Sequence, residues 1–214
     1  MKKTKILLLC LGAIVLVAAS VLGTLAYLTS QDKVVNTFTV GQVDIKLDEA
    51  KVDENGEEIQ GADRVKTNNY HLVPGMTYTK DPTMTVLKNS EESYVRMLVT
   101  INCLSEFDAI YAPTPANLTT IFNGYDAQEW IYETETRDSA NNTITYEFRY
   151  KNAVAKADTD TVLPALFESI TVPGEFSSKD MKSIADLEIT VVGHAIQAVG
   201  FADADAAWNS FVID

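Results

Sequence analysis

Cysteine, histidine and clustered positive charge are scarce in this chain, and each shortage excludes a class of function. There are two cysteines, Cys10 and Cys103. Cys10 lies inside an apolar leader, and Leu9 before it is too bulky for a lipoprotein acylation site. Once the leader is removed only Cys103 remains, so no intramolecular disulfide can form. Cys103 closes a strongly apolar strand pattern and is expected to be buried and inert.

The two histidines, His71 and His194, stand in no His-Glu-x-x-His pattern and at no spacing that would place two ligands on one helix face. A catalytic zinc takes three protein ligands, often histidine, and nothing here selects them. His194 sits in the apolar run Val191–Ile196 and reads as a buried or half-buried imidazole. There is no Gly-x-Ser-x-Gly elbow, no phosphate-cradling glycine loop and no Leu-Pro-x-Thr-Gly sorting motif. Pairing Cys103 with either histidine would have no motif behind it. The residues therefore point to no catalytic set, no metal site and no cofactor.

Charge excludes nucleic acid. The chain carries 17 Lys+Arg against 30 Asp+Glu, a net charge of −13. Residues 1–26 hold three lysines and no acids, so the remainder has 14 − 30 = −16. A nucleic-acid partner needs a cationic face to neutralise phosphates, and no Lys/Arg cluster follows Lys5. Anionic lipid is excluded on the same ground. The acidity reads as solubility through self-repulsion, or more sharply as weak divalent-cation sensitivity during association. The acid pairs Asp48-Glu49, Glu57-Glu58, Glu91-Glu92, Asp158/Asp160 and Asp203/Asp205 read mostly as solvated loop charges. Asp53-x-Asn55-Gly56 holds only a fragment of an EF-hand loop.

The beginning of the chain is richer. Lys2, Lys3 and Lys5 precede an apolar run from Ile6 to Leu22, and Thr24-Leu25-Ala26 follows. A basic segment, an apolar segment and a small-residue site are the layout of a secretory signal peptide, cut after Ala26. Thr24 and Ala26 are the positions the peptidase reads, and Tyr27 becomes the new N-terminus. The alternative is a retained membrane anchor, for which the run lies at the short end of the roughly 17–25 residues a span needs. Membrane contact is expected only through this segment while it is uncut.

Strand patterns dominate the rest. Val95, Met97, Val99, Ile101 and Cys103 alternate with Tyr94, Arg96, Leu98, Thr100 and Asn102, a period of two that predicts a central strand. Val43–Leu47, Met84–Leu87, Trp130–Glu133, Thr143–Tyr150, Leu166–Val172 and Leu187–Val192 read the same way. Asn55-Gly56, Pro74-Gly75, Asp81-Pro82, Asn141-Asn142 and Pro173-Gly174 separate them. Short helices are expected within Pro115–Phe122 and Asp203–Phe211. Many short strands without a linker or repeat predict an all-β protein, an antiparallel β-sandwich or jelly roll with short peripheral helices. It needs no staples, since a chain of this length buries about 70% of its unfolded surface. The organisation expected is a signal peptide at 1–26, a candidate assembly strand at 27–41 and one β domain at 42–214.

Gly23–Thr29 and Val35–Gly41 at the start, then Leu72-Val73-Pro74-Gly75, Lys80-Asp81-Pro82, Tyr94-Val95-Arg96, Leu163–Phe167, Ala195–Ala198 and Gly200-Phe201, fall in an order that resembles the TasA/camelysin-like secreted proteins of Gram-positive bacteria. The resemblance spans nearly the whole chain. It implies a jelly-roll-like sandwich, processing by a signal peptidase of the SipW type, secretion to the cell exterior or surface, and assembly into biofilm-matrix fibres. In fibre-forming members the segment freed by cleavage inserts as a strand into the next subunit. Here Leu28, Val34, Val35, Phe38 and Val40 give that segment an apolar side. The partners implied are further copies or related matrix subunits. The other reading is that this segment forms the first strand of its own domain. The resemblance also carries the metalloendopeptidase activity ascribed to camelysin-like members, for which no zinc motif stands here; a third reading is a monomeric surface or adhesion module that uses the same fold without polymerising.

Overall fold

A computed structural model describes residues 41–106 and 118–212. All of them belong to one compact unit, Gly41–Asp214. The leader, Thr24, Ala26, Tyr27 and the candidate strand residues Leu28, Val34, Val35, Phe38 and Val40 lie outside the described residues.

Among the described residues ten strands follow in chain order: β1 Ile45–Asp48, β2 Thr77–Thr79, β3 Thr83–Val86, β4 Ser93–Asn102, β5 Phe122–Asn123, β6 Trp130–Asp138, β7 Thr143–Tyr150, β8 Thr161–Val162, β9 Ser169–Thr171 and β10 Ile189–Gln197. Three short helices lie wholly within the described residues: α1 Leu118–Ile121, α2 Ser178–Ser183 and α3 Ala204–Asn209. The protein is therefore all-β with few short helices. Every pairing between strands is antiparallel, in sheets ordered β1-β3-β8, β10-β4-β7-β6 and β2-β9-β5.

β4 shows why the pattern works. Its burial alternates strictly along all ten residues, so Val95, Met97, Val99 and Ile101 turn into the core at 1% exposure or less. Their neighbours Arg96, Leu98 and Thr100 face the other way. β7 continues the inner layer with Ile144, Tyr146 and Phe148, all fully buried. The small sheet β2-β9-β5 adds Tyr78, Ile170 and Phe122 to the same core, where Phe122 stacks on Phe167 at 4.5 Å between ring centroids. Trp130 is fully buried and donates its indole N–H to the Pro164 carbonyl at 3.0 Å, which satisfies its one polar atom. The β1-β3-β8 sheet packs on the four-stranded one where Met84 of β3 and Leu47 of β1 meet Gly193 of β10.

The turns follow local chemistry. Gly56 and Gly75 both take positive φ, 78° and 80°, as Asn-Gly and Pro-Gly turns require. Asp203 caps α3, accepting from the Ala206 N–H at 2.8 Å. Ser177 and Asp180 form a reciprocal capping box on α2.

Some expectations shift. β10 is longer than the Leu187–Val192 run and reaches Gln197, while of Leu166–Val172 only Ser169–Thr171 forms a strand. Cys103 is half-buried rather than buried, one residue past β4 in a left-handed conformation with φ 58°. Burial, with the charges of Glu106 and Asp186, pushes its thiol upward, so it is a poor nucleophile at neutral pH. Asp48 and Glu49, read as solvated, are buried at 6% and 7% exposure.

Candidate strand-accepting edge

Among the described residues the four-stranded sheet ends in two edge strands of opposite character. Edge strands carry a row of unpaired backbone groups, and proteins that do not use them blunt them with charges and bulges. β6 is blunted. It carries Glu133, Glu135, Arg137 and Asp138, and its register breaks between Tyr132 and Thr134 in a bulge. Arg137 and Glu135 pair along it at 2.8 Å.

β10 is the opposite case. Its sequence Ile-Thr-Val-Val-Gly-His-Ala-Ile-Gln has no Lys, Arg, Asp or Glu, and it pairs with β4 without a register shift from Ile189↔Ile101 to Gln197↔Ser93. Hydrogen bonds at both ends set the phase. The Asn102 N–H donates to the Glu188 carbonyl at 3.3 Å, and the Ala198 N–H donates to the Glu92 carbonyl at 2.7 Å. Antiparallel pairs alternate between bonded and non-bonded. Thr190, Val192, His194 and Ile196 therefore turn their N–H and C=O groups toward β4, and Ile189, Val191, Gly193, Ala195 and Gln197 turn theirs to the side where no described strand pairs.

The same residues aim their side chains at the core, because they stand opposite buried Ile101, Val99, Met97 and Val95. Ile189, Val191 and Ala195 pack against the core yet stay only partly buried. Ile45 and Leu47 of β1 do the same. The Leu87 N–H bond to the Asp44 carbonyl at 2.9 Å sets the phase of β1, so Ile45 and Leu47 also direct their backbone groups away from β3. Among the described residues no strand pairs with either outer edge, and both edges, which approach each other where Leu47 meets Gly193, carry half-covered apolar side chains. Past the start of β10, Leu187 and Ile189 continue into a shallow apolar depression lined by Leu72, Ile170, Val172 and Phe176.

Gly193 stands at the middle of this edge. A Cβ there would overlap the Met84 side chain, so the glycine is what lets β3 sit against β10. The outer face of the sheet is held by the C-terminal segment. Arg96 of β4 lies 4.5 Å from the Trp208 ring centroid and 4.9 Å from that of Phe211. Arg149 of β7 reaches Asp205 of α3 at 2.6 Å.

Chemistry of other kinds is sparse here. Among the described residues no group of three or more His, Cys, Asp or Glu is placed to hold a metal ion. Among them, too, no helix is long and apolar enough to cross a membrane. His71 is exposed. His194 is half-buried, and burial first, then the Arg96 charge, lowers its pKa. Asp160 and Asp203 serve backbone N–H groups of Lys88 and Ala206. The edge itself was not apparent as a site in the sequence. The signal available was a β-branched run without a single charge, beside a Gly that the strand pattern does not need.

No protein-family model matches the chain, and neither any curated protein nor any solved structure matches it significantly.

Proposed function

We propose that the protein is a secreted structural subunit or accessory of a biofilm-matrix fibre that assembles head to tail by strand donation, as the TasA/camelysin-like proteins do. In this reading the domain is a jelly-roll-like β-sandwich, and a peptidase of the SipW type cuts after Ala26. The freed segment from Tyr27 to Gly41 then enters the next copy, with Leu28, Val34, Val35, Phe38 and Val40 supplying its apolar side chains.

The observation that carries the reading is the uncharged β10 edge beside half-covered apolar side chains. An added strand gains backbone hydrogen bonds from the outward groups of Val191, Gly193 and Ala195. Its alternate side chains cover Leu47, Ile189 and Val191. A contact between the start of one copy and the edge of another is heterologous and propagates when it does not close into a ring. The cut after Ala26 would then switch assembly on, because it frees the donor end.

The test is electron microscopy of the secreted chain beside a chain beginning at Gly41 and an Ala195→Pro variant. Ala195 directs its N–H away from β4, so proline there removes an edge donor without cutting the existing ladder. Filaments are expected from the secreted chain alone, with the other two folded by circular dichroism and monomeric. Filaments from the chain beginning at Gly41 would reject strand donation. A secreted chain that stays monomeric even when seeded would reject the fibre subunit.

A further inference from the structure

A second cluster lies away from the β10 edge, where the end of β1, the loop after it and the end of β2 meet. Lys80 and Glu49 form an ion pair at 2.8 Å between Nζ and Oε2, with side-chain exposures of 7% and 9%. Taking two charges this far out of water is costly, and hydrophobic residues of equal volume often serve stability as well or better. The pair therefore calls for an explanation beyond packing.

Its surroundings supply one. The other oxygen of the same carboxylate, Oε1, accepts from Asn68 Nδ2 at 3.1 Å. The Asn68 amide is fixed in orientation on both sides: Nδ2 also donates to the Ala50 carbonyl at 2.7 Å, and Oδ1 accepts from the Val52 N–H at 3.1 Å. Glu49 thus touches an amine nitrogen with one oxygen and an amide nitrogen with the other, and a backbone N–H points at the amide oxygen. These are the parts of an acyl transfer: a nucleophile, a proton carrier between nucleophile and leaving group, and a donor where negative charge develops.

We propose that Lys80 and Asn68 join in an intramolecular isopeptide bond, formed by the chain itself with Glu49 as the proton carrier. Lys80 passes a proton to Glu49 along their hydrogen bond, and the neutral amine attacks Cγ of Asn68. The C=O electron pair moves onto Oδ1, against the Val52 N–H. The bond between Cγ and Nδ2 then breaks. Both protons that leave Nζ end on Nδ2 by way of Glu49, so ammonium departs and Glu49 finishes as the carboxylate it was. The balance is one lysine ammonium and one amide in, one secondary amide and one ammonium out, with no oxidant or cofactor. The product closes a covalent ring from residue 68 to residue 80, pinning that loop to the sheet. Glu49 and Lys80 are catalytic residues in this step, and Val52 contributes its backbone N–H.

Peptide mapping of the purified full chain by mass spectrometry tests this. Trypsin cuts after Lys66, Lys80 and Lys88 when all three are free. The expected product is peptide 67–88, uncut after Lys80, lighter than its sequence by one ammonia, and giving no separated backbone fragments between 68 and 80. Glu49→Gln and Lys80→Arg should restore the full mass of the chain. Unmodified peptides 67–80 and 81–88 from the parent chain would overturn the proposal. So would loss of ammonia with Lys80 still cleavable, which marks a cyclised asparagine, or loss of one water, which marks attack on Glu49 itself. Persistence of the bond in Glu49→Gln would overturn the proton-carrier role.

Discussion

Arg96 donates its Nε–H to Nδ1 of His194 at 3.2 Å, straight across the β4-β10 pair. That nitrogen must be unprotonated to accept, so the bond exists only for neutral imidazole. Phe211 covers the imidazole, with ring centroids 4.8 Å apart. Arg96 also holds Glu147 of β7 at 3.4 Å. One arginine therefore ties β10, β7 and the C-terminal segment together.

That tie should make the stability of the protein fall with acid. Burial first, and Arg96 second, lower the His194 pKa, while Glu147 opposes them. The unfolded chain therefore takes up the proton at higher pH than the folded one. The contribution is present above the ordinary histidine value of about 6.5 and is lost as pH falls below it toward the folded value. Urea midpoints measured between neutral pH and the carboxylate range should fall for the parent chain. They should fall less for His194→Gln, which keeps an acceptor and cannot titrate. Equal slopes would show that His194 contributes nothing to the pH dependence.

Gly193 governs how closely two sheets approach. Gly193→Val would push a branched side chain into Met84 and should cost about 1–3 kcal/mol as overpacking. Shortening the obstructing side chain in the double variant Gly193→Val, Met84→Ala should recover part of that loss, because the two sites share one space. Chemical denaturation of the four chains of that cycle measures the coupling, and additive losses would contradict the contact.

Arg64 neutralises a buried acid. It donates to Asp48 at 2.6 Å and to Asp81 at 2.8 Å, and to Thr83 Oγ1 at 2.9 Å. Burial would raise the Asp48 carboxyl, but hydrogen bonds and charge from Lys46 and Arg64 outweigh it and hold it below the ordinary value. Its contribution is therefore present above the unfolded carboxylate value and lost as pH falls through the lower folded one. Arg64→Ala should cost about 2 kcal/mol at neutral pH and flatten the acid limb of stability. A denaturation series in which the variant keeps the parent's acid limb would count against this network.

Gly56 cannot carry a side chain. Its φ is 78°, and a Cβ would overlap Tyr78, a core residue at 1% exposure. Gly56→Ala should therefore cost about 1–3 kcal/mol from backbone strain and overlap combined. Thermal unfolding of this variant beside Gly61→Ala separates the two causes, since Gly61 shares the positive φ but meets nothing within 4 Å. Equal losses would assign the whole effect to the backbone.

Much of the fold is legible because its signals are local. β4 and β7 appear where alternation runs for eight residues or more, and Asp203 marks the start of α3 by its own capping bond. β5 and β8, at two residues each, leave no period to read. α2 is missing from the sequence reading although Ser177 and Asp180 stand at capping-box spacing, a signal that was available. The candidate sites were harder. Asp48 and Glu49 look like any acidic loop pair until Arg64, Lys46 and Lys80 arrive beside them.

The sequence by itself determined the class: alternating β-branched runs and turn residues specify antiparallel strands, and the excess of Asp and Glu over Lys and Arg makes the chain strongly acidic. Those conclusions rest on local conformational preference and on total charge, which need no partner in space. Only the tertiary structure decided that no described strand pairs with the outer side of β10 while β6 is blunted, and that Lys80 and Asn68 share the Glu49 carboxylate. A strand becomes an edge by what fails to lie beside it. A lysine becomes a nucleophile by which groups hold it out of water. Both depend on contacts between segments far apart in the chain.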